Sequence, residues 1–481
     1  MMYDLMVIGD DLASHVAATY ASQKGINTLL VAESGLGGLH LIDDFVFNID
    51  PAPITGLGPD QPALSILSEL GIAVPEAQAA SINPAFQVIL PGHRIDFYNN
   101  LSSLTAELAR EFPDLDADIT DFYNMLLDAS ATFQKWLSEH QQIQPQTLKE
   151  YYGYLKNFPD IIKYKFAAVK FDKVLSQDPC LEKVWEAQQA LLSGNIDDLL
   201  SFVSAFQYST PLRGVSYFPQ GKQFLFNALV EKLESNKGLY LSSHQINTVI
   251  RNKNIDMELK APDGTISKVS GRDLIISTKS DKLSLLRGTH QYMNLSDWLR
   301  PAKAVYYPFT IFLGVAAKCL PEQLARHIAV VTDVDKDIYD DNLIILETSP
   351  PENDKDLTVA RTSLTATVYL PDFEDNWTRD ALSREADSIL ERLEGFLPFL
   401  KDNIKLFNID KAIDISWEYR KVLTPKYKVR NAFFTSFAAK THKTRFNNIF
   451  LTGSSLMTDA GFEAEIISGK QSALQIINKR K

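Results

Sequence analysis

Residues Tyr3–Glu33, YDLMVIGDDLASHVAATYASQKGINTLLVAE, decide the fold. Tyr3 to Ile8 is a short apolar run that Gly9 ends. Leu12, Val16, Ala17 and Tyr20 then recur at helical spacing as far as Gly25. Ile26 to Ala32 is a second apolar run, closed by the acid Glu33. Strand, tight turn, helix, strand and acid make the opening βαβ unit of a dinucleotide-binding fold.

The turn itself departs from the phosphate-binding pattern G-x-G-x-x-G, because this chain reads Gly9-Asp10-Asp11-Leu12-Ala13-Ser14. Gly9 keeps the tight turn. Asp11 stands where a missing side chain lets backbone approach a pyrophosphate, and Ser14 replaces the glycine of close helix–strand packing. A carboxylate about 4 Å from a phosphate, at an effective dielectric near 20, costs roughly 4 kcal/mol. The same residue type is a good helix N-cap, so a cap can occupy the phosphate's seat.

Working outward, the 481 residues allow a large core and favour two domains. The composition, 45% hydrophobic and 22% charged, is that of a globular protein. A net charge of −12 argues against a general nucleic-acid surface and against an anionic membrane partner. Cys180 and Cys319 lack metal spacing and read as reduced core thiols. Only two methionines precede Tyr3, and no apolar run is long enough to span a bilayer, so a cytoplasmic protein without a transmembrane segment is expected.

From Ser102 to Phe206 the chain reads as largely helical, with Ile119, Phe122, Tyr123, Leu126, Leu127, Phe133, Trp136 and Leu137 in one apolar stripe. This insert is either a cap over a substrate space or a plain helical subdomain with a filled core. Pro219-Gln220-Gly221 leads into a helix over 224–233, followed by strands at 239–241, 246–251, 257–260 and 273–278. Residues 305–370 suggest an antiparallel sheet, and 378–400 a helix. Asn448 to Thr452 reads as a strand entering a turn at Gly453, and a final helix follows Gly461.

Together these parts resemble the flavin-dependent amine oxidase and phytoene desaturase superfamily. The resemblance covers most of the chain and is best at the two ends and over 219–278. It implies an α/β fold: a doubly wound, FAD-binding type of domain from 1–96, 207–285 and 415–481, with an inserted α+β substrate or cap domain from 97–206 and 286–414. The cofactor it implies is FAD. Glu33 would accept hydrogen bonds from the ribose hydroxyls, Gly37 and Gly38 would meet the pyrophosphate, and the Ile246 backbone would face the adenine. Gly453 matches the terminal glycine, Ser454 stands where relatives commonly carry an acid, and Glu463 lies near the helix end that faces the flavin's pyrimidine edge.

The altered Asp11 and Ser454 fall on the same side of the expected cofactor. Two functions follow from the resemblance. One is an FAD-dependent oxidoreductase acting on a small apolar or amine substrate, with no catalytic side chain identifiable. The other is a non-catalytic relative that has lost flavin and holds a lipid-like ligand or partner protein, as Rab GDP-dissociation inhibitors do. A protein partner or a homo-oligomer stays open. No metal site is expected: the eight histidines lack ligand spacing, and Asp333-Val334-Asp335-Lys336-Asp337 fails as a calcium loop because Ile338 and Ile344 replace its glycine and glutamate.

Overall fold

The computed structural model describes residues 2–34, 39–76, 80–139, 175–196, 202–282, 286–287, 302–351, 360–420, 423–429, 441–444, 446–457 and 460–480, with isolated positions between 152 and 173. Two large sheets organise it. In the first, Leu239–Leu241, Thr28–Val31, Met2–Ile8, Ile266–Ser277 and Ile449–Thr452 lie side by side and parallel. The N-terminal half of Ile266–Ser277 turns outward and pairs antiparallel with Ile255–Lys260, which pairs in turn with Gln245–Arg251. The Asp263-Gly264 turn joins two of these strands, with Gly264 at a φ of 86°.

The first helix, Leu12–Gln23, is buried on nearly every side, which explains why it is apolar or small all round. It packs against the C-terminal helix, Gly461–Arg480. At Gly469 an added Cβ would stand 2.5 Å from the Ala13 carbonyl oxygen, so only glycine permits this approach.

In the second sheet the order is Ile404–Phe407, Ala302–Ala316, Arg361–Pro371, Leu343–Thr348, His327–Val331, Phe86–Leu90 and His93–Phe97. All of these pairings are antiparallel except the one between His327–Val331 and Phe86–Leu90. The helix Arg379–Glu394 lays Leu382, Ala386, Ile389 and Leu393 on its core, as the periodicity predicts. Sheet membership cuts across the expected division of the chain. Phe86–Leu90, residues 93–96 and Lys426–Val429 belong to this second sheet, although they lie in segments assigned to the nucleotide-binding part.

The helical insert is a packed body. Phe122, Tyr123, Phe133 and Trp136 of Asp116–Glu139 meet Trp185, Phe206 and Tyr208, with Phe122 and Trp185 rings 5.1 Å apart and Phe133 and Phe206 5.2 Å apart. Edge-on aromatic contacts of this kind fill space tightly. These residues share one core with the first helix, so the predicted apolar stripe is core and does not line a substrate space.

Candidate functional site: a nucleotide cleft closed from within

Open α/β sheets bind ligands beyond the carboxyl ends of their parallel strands. Here those ends bring together Gly9, Glu33, Ser277 with Lys279, and Gly453 with Ser454. Ile246 joins them from the antiparallel extension of the sheet. Gly37 and Gly38 lie outside the described residues.

At the first turn, Gly9 has a φ of 153°, and an added Cβ would lie 2.2 Å from Ser14 Oγ. Asp11 N-caps the first helix. Its Oδ1 accepts from the Ser14 backbone N–H at 3.0 Å and from Ser14 Oγ at 2.6 Å, while Oδ2 accepts from Ser277 Oγ at 2.5 Å. The side chain is only 5% exposed and reaches toward the last strand, where a Cβ on Gly453 would come within 3.3 Å of Oδ2. The carboxylate therefore ties the first helix to the neighbouring strand, at the point where a diphosphate would cross. Asp10 accepts from the Ser34 backbone N–H at 2.9 Å, and burial pushes its carboxyl up to about 6.

The groups expected to read adenosine bind each other. Glu33 Oε1 accepts from the Ile246 backbone N–H at 2.9 Å and pairs with Lys282 Nζ at 3.1 Å. The carboxylate that would hold the ribose thus occupies the backbone donor that would face the adenine.

At the N-terminus of the C-terminal helix, the end that the resemblance assigns to the flavin ring, several segments of the chain meet. The helix Pro179–Leu192 ends against the N-terminus of the C-terminal helix, where a Cβ on Gly461 would stand 2.2 Å from the Leu192 carbonyl oxygen. Beyond it, the Gly194 carbonyl accepts from Tyr427 N–H at 2.6 Å, and Ile196 N–H donates to the Tyr427 carbonyl at 3.1 Å. Lys426 Nζ donates to the Ser193 carbonyl at 2.6 Å and to that of Ala190. Burial lowers this lysine to about 7. Beside it, Lys279 Nζ donates to Glu465 at 2.5 Å and to Thr424 Oγ1 at 2.9 Å, with both charged side chains almost wholly buried. Burial opposes the Lys279 ammonium, but Glu465 outweighs it and raises the group above an ordinary lysine.

Glu463 points inward. It pairs with Arg213 at 2.8 Å beneath Gly56, and Arg213 also donates to Gln61 Oε1 at 2.8 Å and lies 3.5 Å from the centre of the Phe206 ring. Ser454 is buried beside Tyr427.

A cavity of about 310 Å³ remains at the strand ends. Its described wall carries the carboxylates of Asp10, Asp11, Glu33, Asp281 and Glu418 with the cation Lys279, which is paired with Glu465, while Lys282 pairs with Glu33. Pockets for drug-sized ligands run from about 300 to 1,000 Å³, and FAD is larger than most such ligands and carries a diphosphate. Among the described residues this cavity lies at the small end of that range and its wall is mainly acidic, which disfavours a diphosphate.

A second buried polar cluster ties the second sheet to the Phe45–Asn48 strand and to the start of the helix Gln223–Ser235. Lys222 Nζ pairs with Asp50 at 2.6 Å, and Asn48 Nδ2 donates to Glu347 Oε1. Burial raises Glu347 to about 7, whereas burial, with Lys222 and Arg326 nearby, lowers His327 to about 3. Sequence reading missed Lys279, Lys282, Glu465, Lys426 and this cluster. Lys279, two residues past a strand end, is the one that position alone could have flagged. Among the described residues no group of three metal ligands forms, and no helix is long and apolar enough to cross a membrane.

Comparison with solved structures places this architecture. A putrescine oxidase redesigned in its cofactor binding matches at 14% identity and a TM-score of 0.63, over 99% of both chains. An oxidoreductase from Methanosarcina mazei matches at 14% identity and 0.59, over 99% of this chain and all of that one. Cyclohexylamine oxidase from Brevibacterium oxydans matches at 11% identity and 0.57, over 99% of both. No family model and no curated protein matches the sequence. The chain has the flavin amine oxidase fold, an FAD-binding type of domain joined to a substrate-type domain. At these identities the likeness is one of fold.

Proposed function

We propose that this chain is a non-redox protein of flavin amine oxidase fold, which works by binding a lipid-like ligand or a partner protein. What supports the reading most is the packing at the end the resemblance assigns to the flavin ring: the Leu192 carbonyl meets the start of the C-terminal helix, Gly194 and Ile196 pair with Tyr427, and Lys279–Glu465 is a buried ion pair. Along the remaining length, which stays open as the cavity of about 310 Å³, Asp11 sets a carboxylate at the turn and Glu33 takes the Ile246 N–H. The described aromatic side chains of the helical insert pack into one core with the first helix, so the binding surface is assigned to the exterior.

The test is an absorbance spectrum of the purified protein, followed by titration into FAD with flavin fluorescence as readout. Colourless protein that leaves the fluorescence unchanged is expected. Yellow protein with one flavin per chain would overturn the reading.

A second reading, an FAD-dependent oxidoreductase acting on an apolar or amine substrate, is supported by Gly9, Glu33, Ile246 and Gly453 converging on one cleft and by likeness in fold to amine oxidases. It requires residues 190–196 and Lys279 to leave their places, and the same titration decides between the two.

A further inference from the structure

Large hydrophobic side chains stand exposed at Tyr152, Leu155, Ile162, Phe166 and Val169, with Tyr152 and Phe166 each 74% accessible. All five positions are helical, and their spacings of three, seven, four and three residues are those of one helical face. Lys156 and Lys173 are exposed on the same segment. In sequence, residues 151–173 hold seven aromatics, and five lysines against two acids, a net +3 in a chain of net −12. The sign of charge reverses where the apolar side chains come to the surface.

Aromatic and aliphatic side chains interleaved with lysines suit the boundary between lipid headgroups and acyl chains, where rings embed and ammonium groups meet anionic headgroups. A helical protein partner would equally cover the apolar side chains, but the local positive charge selects an anionic surface. The acidity of the whole chain does not prevent this, because charges farther than a Debye length, about 8 Å at physiological salt, are largely screened. We propose that Tyr152, Leu155, Ile162, Phe166 and Val169, flanked by Lys156 and Lys173, form a docking surface for an anionic lipid bilayer, on which the protein lies without spanning it. This holds whether or not the cleft admits flavin.

The experiment is co-sedimentation of the full chain with vesicles of phosphatidylcholine alone or enriched in phosphatidylserine. Binding to the anionic vesicles should be at least about tenfold stronger and should weaken with added salt. Reversing both lysines (Lys156→Glu with Lys173→Glu) should weaken it at least about 25-fold, since each lysine near the surface contributes roughly fivefold. Phe166→Ser with Ile162→Ser should abolish it while leaving the thermal midpoint unchanged. Equal binding by wild type and variants, or no preference for anionic vesicles, would overturn the proposal. So would a dimer in size-exclusion chromatography that depends on Phe166, which would assign the stripe to a second copy of the chain.

Discussion

Replacing Asp11 with Asn separates charge from volume as the cause of the closed cleft. Asn caps a helix about as well as Asp, and its Oδ1 can still accept from the Ser14 backbone N–H, as Asp11 Oδ1 does at 3.0 Å. The contact to Ser277 Oγ survives if that hydroxyl rotates to accept. The charge-assisted character of these bonds is lost, at a cost of about 1–2 kcal/mol. Against that, a carboxylate about 4 Å from a phosphate repels it by roughly 4 kcal/mol, so its removal should tighten diphosphate binding about a thousandfold if charge were the only obstacle. We expect Asp11→Asn to melt slightly below wild type and still leave flavin fluorescence unquenched, because Leu192 to Ile196 and Lys279 hold the ring's place. Micromolar FAD binding by this variant would refute the argument from volume.

Three further outcomes follow from the buried charges and the closed ring seat. Glu347 is fully buried and raised to about 7 from an ordinary 4.5, so the native state keeps a proton that the unfolded chain releases between those values. Wild-type stability therefore falls as pH rises through that window, and Glu347→Gln, which stays neutral, should equal wild type near pH 4.5 and exceed it by up to about 3 kcal/mol at pH 8 in denaturant melts. Lys279→Met strands a buried Glu465 and should cost about 3–5 kcal/mol, whereas Lys279→Met with Glu465→Met should recover most of that loss. Gly461→Ala places a Cβ 2.2 Å from the Leu192 carbonyl oxygen at a φ of +51°, and should cost at least about 2 kcal/mol while speeding hydrogen exchange at Gly194 and Ile196.

The fold was legible because its signals are local. Gly9, the apolar runs around it and the acid at Glu33 specify a βαβ unit within some thirty residues, and the observed strand and helix follow that reading closely. The N-cap at Asp11 was legible for the same reason, since Ser14 lies three residues away. Its bond to Ser277 was not, because 266 residues separate the two. The closure of the ring seat was hidden for a similar reason. It depends on the end of one helix, a strand from the second sheet and the N-terminus of the last helix meeting at one place, and no spacing in the sequence encodes that meeting. The insert's aromatic stripe shows the other limit: periodicity finds the buried face, but only packing tells a filled core from a cavity wall.

On the proposed function, a fold built to hold a large cofactor without one would have to fill the space, since an apolar cavity costs on the order of 24 cal/mol per Å³ of unfilled volume. On that reading the segment from Leu192 to Ile196 would take up that space, and its backbone groups pair with Tyr427 and Lys426, so they are not left bare. Lys279–Glu465 answers differently. A buried ion pair gives little net stability, but it fixes one arrangement of the strand end against the last helix, because either partner alone is strongly unfavourable. Asp11 does the same between the first helix and Ser277. Each of these contacts occupies a feature that a dinucleotide would otherwise use. On the proposed function, admitting a flavin would therefore require breaking the pair and displacing that segment together, and no single substitution does both.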